Sequence, residues 1–185
     1  MAAICVFCAS SSSLDRRWLD LGFETGRELA ARGHSLVSGG GRVGMMGTVA
    51  EGARSGGAHT TGVIPGHLMG LEVGDLAADE LVVTADMAER KTVMVARSDA
   101  FLTLPGGLGT MDELFEVWTT ALLGVHRKPV VLLDADGFYT GLLDWLRGLA
   151  GPAFARPEAL DLLRVVDSVP AALDAIEAGL DQPAG

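Results

Sequence analysis

Two short stretches of this chain carry groups that could do chemistry together. One is Leu104-Pro105-Gly106-Gly107-Leu108-Gly109-Thr110-Met111-Asp112-Glu113; the other is Arg90-Lys91. Gly106, Gly107 and Gly109 allow a sharp turn and leave backbone N–H groups with no side chain over them. Thr110 offers a hydroxyl and is expected to cap the helix that follows. The start of that helix adds partial positive charge from its unpaired N–H groups. The stretch therefore reads as a seat for an anion, most simply a phosphate. Glu113 is expected in the first helical turn, beside whatever the loop holds. Glycine loops between strand and helix are common in themselves. Three glycines with a threonine and an acid at this spacing favour the phosphate reading. Arg90-Lys91 reads equally as solvated surface charge or as the basic partner of the site.

The reactions open to such a site are few. The sequence has no Ser-His-Asp order, no G-x-S-x-G elbow and no G-x-x-x-x-G-K-[ST] loop. Phosphoryl transfer would need Mg²⁺ and the acids that hold it. A phosphate seat without metal ligands suggests a nucleoside monophosphate or a sugar phosphate. Cleavage at the anomeric carbon of a ribose phosphate fits a fixed phosphate, a carboxylate and no metal. Its transition state resembles an oxocarbenium ion, which an ionised carboxylate stabilises, or whose attacking water it activates.

The elements that must position these residues follow from apolar periodicity and from glycine and proline punctuation. Strands are expected over 3–8, 35–38, 58–64, 81–84, 100–104, 129–133 and 163–166. Helices are expected over 15–32, 45–55, 86–98, from the glycine loop to 123, 137–149 and 170–179, with 151–157 as a connector. The strands are continuous apolar runs alternating with helices, the pattern of a parallel sheet covered on both faces. The fold class is thus a single-domain, Rossmann-like, doubly wound α/β sheet. Ligands of such folds bind outside the carboxyl ends of the strands. The serine loop 9–13, the glycine loops 39–47 and 105–110, the start of the 86–98 helix and the long loop 65–79 with Glu72 all fall there. Ser10, Gly40, Gly41 and Glu116 are further candidates. Gly39-Gly40-Gly41-Arg42-Val43-Gly44 has the dinucleotide-binding spacing. It follows the second strand, however, and the next strand ends in Pro65 rather than in an acid that would hold a ribose. It is read as a second close-approach surface for a ligand.

Bulk properties exclude several classes. The 185-residue chain carries a net charge of −10 and only two lysines, which argues against nucleic acid or an anionic membrane as partner. No apolar run approaches the roughly 20 residues of a membrane span. The start of the chain lacks the charged beginning of a signal peptide, so a cytoplasmic location is expected. Cys5 and Cys8 have C-x-x-C spacing but lie in an apolar run, where residues three apart face opposite sides. They are read as buried and inert, and without clustered histidines they make no zinc site.

Pro105-Gly106-Gly107-Leu108-Gly109-Thr110-Met111-Asp112-Glu113 resembles the P-G-G-x-G-T-x-x-E motif of the Lonely Guy family of lysine-decarboxylase-like proteins. Met87-Ala88-Glu89-Arg90-Lys91 is similar to that family's M-x-x-R-K segment, and further blocks match in family order over about residues 3–145. The resemblance implies a cytokinin riboside 5′-monophosphate phosphoribohydrolase. Such an enzyme hydrolyses the N-glycosidic bond of N6-substituted adenosine monophosphates to free base and ribose 5-phosphate, with no cofactor. The family's essential Arg and Glu fall on Arg90 and Glu113. Its substrate-contacting positions fall on Glu72, Arg90, Lys91 and the run Gly107, Leu108, Gly109, Thr110, Met111, Asp112 and Glu113, with Gly106 beside them. The resemblance also implies a homodimer, with a small-molecule nucleoside 5′-monophosphate as the partner. Asp112 stands where many members have Glu, Ala9 where Gly is common, and Thr120 where Trp is common, which leaves the preferred base open. Nothing marks a lysine that could hold pyridoxal phosphate, despite the family's older label. Two other readings stand beside this one: a general AMP or nucleoside monophosphate nucleosidase, and a non-catalytic nucleotide or cofactor carrier. An intact Arg90/Glu113 pair argues against the carrier.

Overall fold

The structure is a computed structural model that describes residues 1–69, 74–151 and 154–182. The chain runs β1 (Ala3–Phe7), α1 (Arg16–Ala31), β2 (Ser35–Ser38), α2 (Gly44–Ser55), β3 (Thr60–Pro65), β4 (Glu80–Thr84), α3 (Met87–Ala96) and β5 (Ala100–Thr103). It continues through α4 (Leu108–Leu122), β6 (Val130–Leu133), α5 (Thr140–Gly148), α6 (Pro157–Asp161), β7 (Leu163–Val166) and α7 (Val169–Leu180). Among the described residues, seven strands form one sheet in the order β4-β3-β2-β1-β5-β6-β7, and every neighbouring pair is parallel. The doubly wound parallel sheet expected from the apolar strands is what the chain forms.

Alternation along each buried strand divides the core into two layers. Ile4, Val6, Leu36, Leu102 and Val131 pack with Leu29 of α1, Met45 and Val49 of α2, and Leu173 and Ile176 of α7. Cys5, Phe7, Val37, Phe101 and Leu132 pack on the other face with Met94 of α3, Leu114 and Trp118 of α4, and Leu143 of α5. Cys5 and Cys8 are both buried and free, and they belong to opposite layers.

The strand order reverses between β1 and β5. The chain moves outward from β1 to β4, then returns to lay β5 on β1's other side, with Cys5 opposite Phe101 and Phe7 opposite Thr103. The loops leaving β1 and β5 therefore diverge from adjacent strand ends, and a crevice opens between them.

Local chemistry sets several boundaries. Asp15 caps α1 by accepting the Arg17 N–H at 3.0 Å. Two helices differ from the expected pattern. Helix 137–149 begins only at Thr140, because a 3₁₀ turn over Ala135–Gly137 contains Asp136 in the left-handed region (φ 54°). α6 occupies the stretch following the expected connector, started by Pro157 at its first turn. Among the described residues, no helix is long and apolar enough to cross a membrane.

Candidate active site

The crevice between β1 and β5 contains a cavity of about 280 Å³. Its polar wall comprises Ser10 and Ser11 after β1, Arg90 of α3, and Thr110 and Glu113 of α4, with the backbone of Gly107, Leu108 and Gly109 at the helix start. Cys8, Ala9, Met46 and Met87 supply the apolar part. Roomier open clefts of about 820 and 880 Å³ lie at the opposite sheet edge, around Lys128 and Pro129. Position decides between them: only the smaller cavity lies at the switch point and brings Arg90 to Glu113.

α4 begins at Leu108, so the N-cap is Gly107, which has no side chain to cap with. Two expectations are corrected here. Thr110 does not cap the helix; it sits in the first turn, 4% exposed. Glu113 lies in the second turn, and no acid occupies the first. The consequence favours anion binding. With no side-chain cap, the first-turn N–H groups and the helix's positive end are left for a ligand at the cavity.

Gly106 owes its identity to Thr110. A Cβ built on Gly106 would stand 2.1 Å from Thr110 Oγ1. Gly106→Ala must therefore push Thr110 out of place. The expected result is a KM for a phosphorylated substrate raised about tenfold, with kcat less affected, as steady-state kinetics would show.

Arg90 is 4% exposed, and each nitrogen of its guanidinium has a separate direction. Nε donates to the Val63 carbonyl at 3.1 Å, and Nη2 donates to the Gly39 carbonyl at 2.9 Å. Nη1 stands 3.7 Å from Glu113 Oε1, an ion-pair distance, and 3.8 Å from Met87 Sδ. Glu113 is itself only 8% exposed. A planar fork held by two backbone carbonyls is a rigid way to bring positive charge to a carboxylate.

The glycine loop after β2 serves this fork. A Cβ on Gly39 would lie 1.9 Å from Arg90 Nη2, so the close approach foreseen for a ligand is made by Arg90. Gly40, at φ 74°, accepts the Asp75 N–H through its carbonyl at 2.8 Å, and the Gly41 N–H faces Met46 Sδ at 3.2 Å. Gly40 and Gly41 thus build the support behind the site.

Lys91, Asp112 and Glu116 meet away from the cavity wall. Lys91 Nζ is 3.0 Å from Asp112 Oδ2 and 2.5 Å from Glu116 Oε2, a tie between α3 and α4. Glu116 first, and then Asp112, holds the Lys91 ammonium above its usual range. Such a lysine stays protonated, unlike one that forms a Schiff base. The other lysine, Lys128, donates to the Val95 carbonyl at 2.7 Å. Lys91→Met should lower stability by about 0.5–1 kcal/mol, read in a denaturant midpoint, and reduce turnover less than tenfold. Met111 packs with the core layer under α4. Glu72 lies outside the described residues.

The site thus unites Arg90, Glu113, Gly107, Leu108, Gly109, Thr110 and Ser10. Met46 and Met87 also line the cavity, and the Gly39 and Val63 carbonyls hold Arg90; in the sequence Gly39 and Met46 stand out only as part of the 39–47 loop, Met87 only as part of the Met87–Lys91 segment, and Val63 not at all. Met87 had a signal: it lies one helical turn before Arg90 and so shares its face. Burial, and then the negative charge of Glu113, push the Cys8 thiol up, so it is neutral beside the site.

A protein-family model described as "possible lysine decarboxylase" matches residues 46–176. A cytokinin riboside 5′-monophosphate phosphoribohydrolase of Mycobacterium tuberculosis is 49% identical over 172 residues, covering 93% of this chain and 91% of that protein. The chain belongs to the Lonely Guy family of lysine-decarboxylase-like proteins. The phosphoribohydrolase LOG7 of Arabidopsis thaliana is 43% identical, over 94% of this chain and 78% of its own length. Among solved structures, a molybdenum cofactor binding protein of Rippkaea orientalis superposes with a TM-score of 0.73, at 23% identity and over 95% of each chain. That likeness is one of fold. Arg90 and Glu113, the pair expected from the resemblance, both line the cavity.

Proposed function

We propose that this protein hydrolyses the N-glycosidic bond of N6-substituted adenosine 5′-monophosphates, releasing the free base and ribose 5-phosphate. The observation that carries the reading is the buried Arg90–Glu113 ion pair at 3.7 Å beside the helix start of Gly107–Thr110. The naming of relatives at 43–49% identity as cytokinin riboside 5′-monophosphate phosphoribohydrolases supports the same reaction.

The substrate's phosphate lies on the N–H groups of Leu108, Gly109 and Thr110, with the Thr110 hydroxyl beside it. The phosphate anchors the ribose so that C1′ approaches Glu113. The C1′–N9 bond breaks, and its electron pair leaves with the base. Water adds its hydroxyl to C1′ and its remaining proton passes to the base. Glu113 stabilises the oxocarbenium-like ribose and orients that water. Arg90 offsets the negative charge that phosphate and carboxylate bring together in an acidic protein. Glu72 is proposed to bind ribose hydroxyls, and Ser10 to donate from the β1 loop. The apolar wall of Met46 and Met87 suits a hydrocarbon substituent on N6.

The test is base release from N6-isopentenyladenosine monophosphate and from AMP, side by side. Release well above AMP is expected. Equal release would move the reading to a general monophosphate nucleosidase. Binding without release would favour a carrier.

A cytoplasmic homodimer is part of the proposal. Leu122, Leu123 and Val125 stand 41%, 71% and 73% exposed at the end of α4, an apolar surface suited to a second copy. Sedimentation at micromolar protein should give a dimer; a monomer would contradict it.

A further inference from the structure

Tyr139 has no part in the chemistry above, yet its hydroxyl is buried against the phosphate loop. The residue is 3% exposed, and Tyr139 Oη donates to the Leu104 carbonyl at 2.8 Å. β5 ends at Thr103, so Leu104 is where backbone leaves the sheet for the glycine loop. Its N–H still pairs with Phe7 O at 2.9 Å, and Pro105 O accepts the Ala9 N–H at 3.3 Å. The Leu104 carbonyl between them is held by a side chain. Burial raises the pKa of this phenol, and the nearby Gly106 N–H offsets part of that rise.

The chain makes a special turn to deliver this phenol. Asp136, at φ 54° and ψ 23°, is the one non-glycine residue with positive φ among the described residues. Left-handed backbone at a residue with a side chain persists where surrounding structure enforces it. Asp134 Oδ1 then accepts the Tyr139 N–H at 2.6 Å. Phe138 meets Tyr139 edge-on at 4.8 Å and Trp18 at 5.5 Å, bracing the ring from the side.

We propose that Tyr139 is a positioning residue. Its hydroxyl fixes the Leu104–Gly106 backbone so that the first-turn N–H groups of α4 converge on the substrate's phosphate. The inference rests on the phosphate site proposed above. It predicts an effect confined to phosphorylated ligands, which general loosening of the core would not produce.

The experiment compares wild type with Tyr139→Phe, which keeps the ring and removes one oxygen. The KM for N6-isopentenyladenosine monophosphate should rise about tenfold with kcat within about threefold. The kcat/KM for the same nucleoside without phosphate should not change. Amide exchange at Leu104 and Ala9, whose N–H groups are bonded to Phe7 O and Pro105 O, should accelerate while α5 amides keep their protection. Should Tyr139→Phe fail to fold, Asp134→Ala, which releases the Tyr139 backbone, carries the same comparison. Equal losses on nucleotide and nucleoside, or an unchanged KM, would overturn the assignment. If wild type releases no base at all, the enzymatic reading fails separately. Titration with ribose 5-phosphate then judges the clamp: Tyr139→Phe should bind it about tenfold more weakly, and equal affinity would refute it.

Discussion

Glu113→Gln is expected to lower kcat for base release by about 10²–10⁴-fold, with a much smaller change in KM. The substitution keeps the size of the side chain and its distance from Arg90 and removes the negative charge. A group that acts by stabilising an oxocarbenium-like ribose loses its effect when it becomes neutral. A group that merely orders the helix does not, because an amide can keep the same place. Glu113 sits on α4, whose Leu114, Val117 and Trp118 are locked into the core, so its backbone has little reason to move. Rapid-quench measurement of a single turnover would separate the chemical step from product release. Turnover near the wild-type value would remove Glu113 from the chemistry.

Arg90→Ala should be costly in two ways. It removes the donors facing two buried backbone carbonyls, Val63 O and Gly39 O, at 3.1 and 2.9 Å. Hydrogen bonds to charged groups are worth about 1.5–3 kcal/mol each, so a stability loss of about 3 kcal/mol is expected in chemical denaturation. It also removes the positive charge beside Glu113, and kcat/KM should fall by about 10²–10³-fold. Arg90→Lys is the sharper variant. An ammonium cannot reach two carbonyls and a carboxylate from one plane, so it should restore part of the charge effect and little of the stability. Full activity in Arg90→Lys would show that the fork geometry is not required.

Ser35–Ser38 forms β2 with the bounds its apolar pattern predicts, and the Gly107–Thr110 helix start lies at the switch point where strand order places ligands. Thr110 looks like the cap in the sequence because threonine favours that position generally. In this chain the helix starts earlier, and the uncapped Gly107 is what leaves the N–H groups for a ligand. Arg90 and Lys91 look like one basic unit because they are adjacent. Adjacent helical residues point about 100° apart, so one enters the cavity and the other bridges α3 to α4. The same geometry separates Asp112 from Glu113. The two carbonyls that hold Arg90 come from β3 and from the loop after β2, and only folding brings them together. Spacing along the chain carries no trace of such contacts. Tyr139 was invisible for the same reason, since it lies 35 residues beyond the carbonyl it holds.

The most direct test of the central claim is the product balance for wild-type protein with N6-isopentenyladenosine monophosphate. Free base and ribose 5-phosphate would be measured together by chromatography, and AMP would run in parallel. Equimolar appearance of the two products, well above the AMP rate and lost in Glu113→Gln, is the predicted result. Binding of the nucleotide with no base released by wild type would contradict it.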